Sequence, residues 1–285
     1  MITTVNSFLS EILCIERNAA LSRLPFVVSV LKGNSFGTDF SVQRAEARKI
    51  KVYQGGQMIA TDMAKIWDGI NGDKVIAIVS LEDVMSLSDQ QCGPIGMESM
   101  SEALSALGRN TSVSSVIIKA NSPGGQAFSS FTLDQAVKSL KEIKPVFASV
   151  YGSAASAAYI GLSGCTAIFA SHEMCQIGSI GTISSVLDFT EQLKKEGINL
   201  IEEYADDSSD KNIEYREALK GNLKPIKARV NSINDKVLEI VSTNRPNSDM
   251  AKWKTGKLFN ATEALEVGLI DGIMSFDALI EQLSN

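Results

Sequence analysis

The sequence predicts an α/β fold built on a parallel sheet, and three observations carry that prediction. From Lys74 onward, short β-branched apolar runs alternate with amphipathic stretches of helical period. The apolar runs are continuous rather than alternating, as expected of strands covered on both faces. The segments between them are long enough for helical crossovers, which parallel strands require and which are right-handed. The first unit reads as a strand at VIAIVSL (75–81), a helix from Gly96 to Arg109 and a strand at SVIIKA (115–120). A helix over 130–142 and the strand PVFASV (145–150) follow. Next, YGSAASAAYIGLSG is a run of small residues that predicts a helix whose neighbours approach closely, before the strand TAIFAS (166–171).

Beyond that strand, GSIGTISSV (178–186) reads as a glycine-punctuated turn and strand. A helix over 188–196 and a strand at INLIEEYA (198–205) come next, then a polar loop, DDSSDKN. A long helix over 213–244 is predicted, interrupted at Pro225. Near the end, NATEALEVGLIDGI carries an N-cap signature and a helix that stops at Gly268. Residues 1–72 have a different character. A helix over Ser7–Lys32, with Phe8, Leu9, Ile12, Ile15 and Leu21 on one face, precedes a glycine-rich stretch without clear period. The division expected is a mainly helical N-terminal extension, 1–72, and one domain, 73–285.

Composition narrows the function classes. The 285 residues are 44% hydrophobic and 21% charged, with 6 Pro and 21 Gly, which excludes collagen-like and wholly disordered chains. The net charge of −6 disfavours a phosphate backbone as partner, so no nucleic-acid role is expected. Cys14, Cys92, Cys165 and Cys175 form no CxxC pair, and the chain has one histidine, so neither a metal site nor a disulfide framework is signalled and no cofactor is expected. The N-terminus lacks a basic stretch followed by an apolar one, and no uncharged, continuously apolar run approaches the ~18 residues of a membrane span. A cytoplasmic protein without a membrane segment is the expectation.

Two short segments bear chemistry. SPGG, Ser122 to Gly125, directly follows a strand, and its two glycines free backbone N–H groups at the C-terminal edge of a parallel sheet. Such a pair can hold an oxyanion, although a plain tight turn explains the same residues. In the second segment, Ser153 and Ser156 stand among alanines after PVFASV, open to an approaching substrate or simply part of a packed helix. A serine nucleophile needs a base. His172, in a polar turn beside Glu173, has the character of a surface residue, and lysine is the other candidate because a desolvated ammonium sheds its proton readily.

Taken in order, VIAIVSLEDVM, MSEALSAL, VIIKANSPGG, KPVFASVYGSAASAAY, GSIGTI, KKEGIN and TGKLFNATEALEVGLIDGI resemble the signal peptide peptidase A family over Val75 to Leu283. The members are serine peptidases with a Ser-Lys dyad on the Clp protease and crotonase type of fold. AASAAY, where membrane-bound members commonly carry AASGGY, is similar to the soluble phage and prophage branch. The resemblance implies Ser156 as nucleophile and an oxyanion hole from Gly125 and the N–H of Ala157, with Gly124 in the same turn. Ser179 of GSIG would orient the lysine. The relatives hold that lysine in a loop with a pattern like YAGKHK. Carried over to this sequence, the resemblance implies a loop two residues longer that would deliver Lys211, with Lys220 and Lys224 as weaker substitutes.

The expected function is therefore a serine endopeptidase acting on polypeptides with small apolar side chains, bound as an added strand. The resemblance further implies a homo-oligomer with capsid or scaffold proteins as partners, acting in phage head maturation or as a prophage protease, in host cytoplasm or prohead. No fused scaffolding segment is expected after the last motif. An alternative is an assembly protein that keeps the fold without cleaving, which the lengthened DDSSDKN loop favours. A crotonase-type acyl-CoA enzyme is a third reading, for which neither acidic site residues nor a coenzyme A pocket is signalled.

Overall fold

The computed structural model describes residues 13–15, 50–60, 74–89, 94–188, 190–195, 197, 199 and 201–285. Its strands are β1 (Leu13–Ile15), β2 (Lys51–Gln54), β3 (Gln57–Ala60), β4 (Val75–Glu82), β5 (Val113–Ser122), β6 (Gly124–Gln126), β7 (Val146–Ala155), β8 (Ala167–Ala170), β9 (Gln176–Gly178), β10 (Leu258–Asn260) and β11 (Gly272–Ile273). The helices are α1 (Met97–Arg109), α2 (Ala127–Lys141), α3 (Ala157–Leu162), α4 (Thr190–Lys195), α5 (Ile213–Leu219), α6 (Lys224–Asn244), α7 (Met250–Trp253), α8 (Ala261–Glu266) and α9 (Phe276–Ser284).

The main sheet runs β10-β9-β7-β5-β4-β2-β3, with β8 on β7 and β11 on β8. β4, β5, β7 and β8 are mutually parallel, as the crossovers α1 and α2 require. Alternation along the strands sorts the core into two layers. Ala77, Val79, Val116 and Ile118 face the layer that contains α1, α2 and α3. Ile76, Ile78 and Ile117 face the other side, where Leu279 and Ile280 of α9 cover them. The predicted α/β fold with βαβ units is the one observed.

Three local expectations are corrected. Leu13–Ile15 form a strand, not part of a helix, and β1 pairs antiparallel with β6; the remainder of the helix expected over Ser7–Lys32 lies outside the described residues. The segment without period contains a hairpin, β2–β3, that joins the sheet edge beside β4. Its alternation was too short to read, and pairing with β4 supplies the ladder that local pattern did not announce. INLIEEYA makes no strand among its described residues, and 179–186 is irregular apart from β9 ending at Gly178. Conversely, Pro225 divides the long helix as expected: it sits in the first turn of α6, where its missing N–H costs nothing. Asn260 and Glu263 form a reciprocal capping box on α8, and Gly268 follows it with φ +77°.

One buried cation holds the first crossover in place. Lys144 Nζ donates to the carbonyls of Leu107, Asn110 and Val113 at 2.7–2.8 Å, joining the end of α1 to the start of β5. Burial pushes its pKa below the ordinary lysine value, while the three carbonyls favour the charged form. Lys144→Met removes three hydrogen bonds, although the Leu107 and Asn110 carbonyls each keep a backbone donor at 3.3 Å, and is expected to cost on the order of 2 kcal/mol, read by denaturant unfolding.

Candidate active site

Strand β7 lies within the sheet between β5 on one side and β8 and β9 on the other, and it delivers Ser156 just past its C-terminal end, immediately before α3. The small-residue run is thus half strand and half helix, with the serine at the joint. Ser156 has φ +54° and ψ −123°, a region that residues with a Cβ rarely occupy. Such a conformation costs about 1–3 kcal/mol and persists only where the surroundings impose it. Here the Ser156 N–H donates to the Gly178 carbonyl at 2.7 Å, and the Ser156 carbonyl accepts from Ile160 N–H at 3.0 Å. The close approach expected of the alanine-rich helix is real: a Cβ on Gly161 would lie 2.7 Å from Leu133 Cδ2 on α2.

The glycine turn is built with equal economy of space. Ser122, fully buried, donates its hydroxyl to the Asp83 carbonyl (2.5 Å) and accepts from Gly124 N–H (3.2 Å). Gly124 has φ +94° and its carbonyl accepts from Met85 N–H, while Gln126 N–H donates to the Met85 carbonyl. The N–H of Gly124 is therefore engaged within the turn, and by strand alternation the N–H and C=O of Gly125 point away from Met85. No side chain fits at Gly125, where a Cβ would lie 2.0 Å from Met85 O. α3, whose first residue is Ala157, packs against β6. At the start of a helix the Ala157 N–H has no partner in the preceding turn.

Ser156 and Ser179 line one cleft of about 380 Å³ with Thr182, Asn234, Lys254 and neighbouring residues. Ser156 itself is 2% exposed at its floor. Ser179 has φ +51°, fixed by donation of its N–H to the Lys257 carbonyl at 2.8 Å. Thr182 ties the wall to α6: its hydroxyl donates to the Val230 carbonyl (3.1 Å) and its N–H to Asn234 Oδ1 (3.2 Å). Gly178 is required next to Ser179 because a Cβ there would meet Lys257 O at 2.8 Å.

Lys211 stands apart from this group. It is exposed in the turn before α5, its N–H on the Ser208 carbonyl, and it is not among the residues lining the cleft. Lys220 and Lys224 are exposed as well. The ionisable residue that does line the cleft among the described residues is Lys254, which sequence spacing does not connect to Ser156. Thr182 and Asn234 were likewise invisible to it, since a turn and a helix about fifty residues apart meet only in the fold. His172 is exposed, its Nε2 3.2 Å from the Tyr151 carbonyl, in keeping with a surface histidine. No cluster of metal-ligating side chains is present among the described residues.

The strand that leads to Ser156 is tied to other strands of its sheet. Asn121 Oδ1 accepts from Ser153 N–H (3.0 Å), and the Tyr151 hydroxyl donates to Glu82 Oε2 (2.5 Å). Burial, reinforced by the Glu82 carboxylate, pushes the Tyr151 pKa up to about 12. An unfolded tyrosine ionises near ~10, so above that pH the unfolded chain loses a proton that the native state keeps. The contribution of Tyr151 to stability is intact below about pH 10 and declines as pH rises through about 12. Thermal melts across that window should show a falling midpoint, and a shallower fall in Tyr151→Phe.

A strained serine at a strand-to-helix joint, facing a glycine turn across the C-terminal edge of a parallel sheet, is the arrangement of a serine-hydrolase class of site. Residues 138–285 match the model of peptidase family S49. The chain belongs to that family, the serine peptidases of the signal peptide peptidase A type. It is 30% identical to Protease 4 of Haemophilus influenzae over 74% of this chain and 35% of that protein. To a chain of Enterococcus faecium assigned as the signal peptide peptidase SppA it is 29% identical, over 62% of this chain and 52% of the relative. It therefore spans between about a third and a half of the length of these relatives. A solved structure of a variant of a membrane-bound stomatin-specific protease aligns with TM-score 0.48 and 14% identity, over 72% of this chain and 82% of that one. Among the described residues no helix is long and apolar enough to cross a membrane.

Proposed function

We propose that the chain is a serine endopeptidase in which Ser156 is the nucleophile. The observation that carries the reading is the imposed conformation of Ser156 at the floor of the cleft, with β6 packed against the helix it starts. In this mechanism Ser156 Oγ attacks a peptide carbonyl carbon and passes its proton to Nζ of Lys211, which the turn before α5 must first carry into the cleft. Gly125 N–H and Ala157 N–H receive the oxyanion, while Ser179 orients the lysine. Collapse breaks the C–N bond, the amine departs with the proton from Lys211, and water then hydrolyses the acyl-serine ester by the same route. The polypeptide lies as an added strand along β6, where Gly125 offers its backbone groups.

AASAAY at 154–159 and the motifs in family order support the finer part of the proposal. That part is a phage or prophage protease, homo-oligomeric, that processes capsid or scaffold proteins in host cytoplasm or prohead. A second reading, an assembly protein that no longer cleaves, is favoured by one observation: Lys211 does not line the cleft of Ser156.

Labelling with a fluorophosphonate followed by mass spectrometry decides between them. The expected result is modification at Ser156 in the wild type, absent in Ser156→Ala and strongly slowed in Lys211→Ala, with a rate that rises from neutral to alkaline pH. Loss in Lys254→Ala but not in Lys211→Ala would transfer the base role to Lys254. No modification in well-folded wild type would leave the assembly protein.

A further inference from the structure

We infer that β1 is an internal inhibitory strand, seated on the backbone edge that the substrate must use; this rests on the peptidase reading above. β1 pairs antiparallel with β6 in the register Leu13 to Gln126, Cys14 to Gly125 and Ile15 to Gly124. The opposite edge of β6 is already taken, because the Gly124 carbonyl and the Gln126 N–H both bond to Met85. Backbone groups alternate along a strand, so the N–H and C=O of Gly125 face β1, and Cys14 is the residue opposite. In an antiparallel ladder two residues so placed exchange both bonds: Gly125 N–H donates to the Cys14 carbonyl and Cys14 N–H to the Gly125 carbonyl.

The consequence follows from valence. An N–H carries one proton and makes one good hydrogen bond. The Gly125 N–H cannot serve the Cys14 carbonyl and an oxyanion together, nor can β6 pair with β1 and with a substrate strand on one edge. No other edge is offered in this turn, since Gly124 N–H is held by Ser122 Oγ. Occupation is thus competitive, and the activity of the chain is set by how often β1 leaves. Three residues of pairing make a weak ladder, suited to displacement by substrate or by a partner that captures the segment around β1. The backbone carries the pairing, so the effect does not depend on which side chains β1 presents.

The test uses the full chain. Cys14→Pro removes the Cys14 N–H from the ladder without touching the domain. Two readouts are compared in wild type and variant: amide hydrogen exchange at Gly125, and the rate at which a fluorophosphonate labels Ser156. In the variant, Gly125 exchange should accelerate and labelling should speed up by about tenfold, the scale of one lost backbone bond. The synthetic peptide SEILCIERN, residues 10–18, should slow labelling of the variant again. Equal Gly125 exchange in both proteins would overturn the pairing. Faster exchange with unchanged labelling would overturn the inhibitory role while leaving Ser156 a nucleophile. Absence of labelling in both would sink the peptidase reading itself, and the inhibitory role with it.

Discussion

Ser156→Ala is expected to abolish peptide cleavage, by at least ~10⁴-fold, while Ser156→Gly abolishes it equally and yields the more stable protein. The two variants remove the same hydroxyl but not the same strain. Alanine keeps the Cβ that makes φ +54°, ψ −123° unfavourable, whereas glycine adopts that region freely. Strain of about 1–3 kcal/mol is relieved, against about 0.5–1 kcal/mol of extra chain entropy lost by glycine on folding. The glycine variant should therefore melt above the alanine variant by an amount corresponding to roughly 1 kcal/mol, measured by calorimetry alongside a peptide-cleavage assay. Equal melting temperatures would show that the turn is not strained, and would remove the physical reason for singling out Ser156 from Ser153, which lies within β7.

Gly125→Ala is expected to be almost as severe, through a different cause. The added Cβ would stand 2.0 Å from the Met85 carbonyl oxygen, so the turn must open and its N–H must move. Loss of one oxyanion donor lowers turnover by about 10²–10³-fold, and displacement of the Met85 bridge adds a loss of stability. Turnover measured below the melting transition separates the two effects. A variant that folds with wild-type turnover would exclude Gly125 from the oxyanion hole.

What a stretch of the chain reveals by itself depends on the range of the interactions that shape it. β4, α1, β5, β8 and α8 were legible because each is announced by its own period or cap, as with the Asn260–Glu263 box. Pro225 marked a helix boundary from local sterics alone. Where an element exists only through a partner, local pattern failed. β2 and β3 owe their state to β4, and Leu13–Ile15 carries helical spacing yet pairs with β6. The run after Val150 predicts one helix because small residues suit both states. The Gly178 carbonyl and the pairing of β7 with β9 hold its first half extended and set Ser156 at the break.

By itself, then, the sequence determined the parallel α/β architecture and the membership in the family, and it singled out the serine and the glycine turn as the candidates for chemistry. Periodicity and motif order are properties of neighbouring residues and survive without coordinates. Tertiary structure alone decided which groups share a cleft. It turned Gly125 rather than Gly124 outward, brought Thr182 and Asn234 together as a wall, lined that cleft with Lys254 rather than Lys211, and laid β1 along the edge of β6. These are contacts across tens to more than a hundred residues, set by how strands stack and which hydrogen-bonding groups remain open, and no local pattern encodes them.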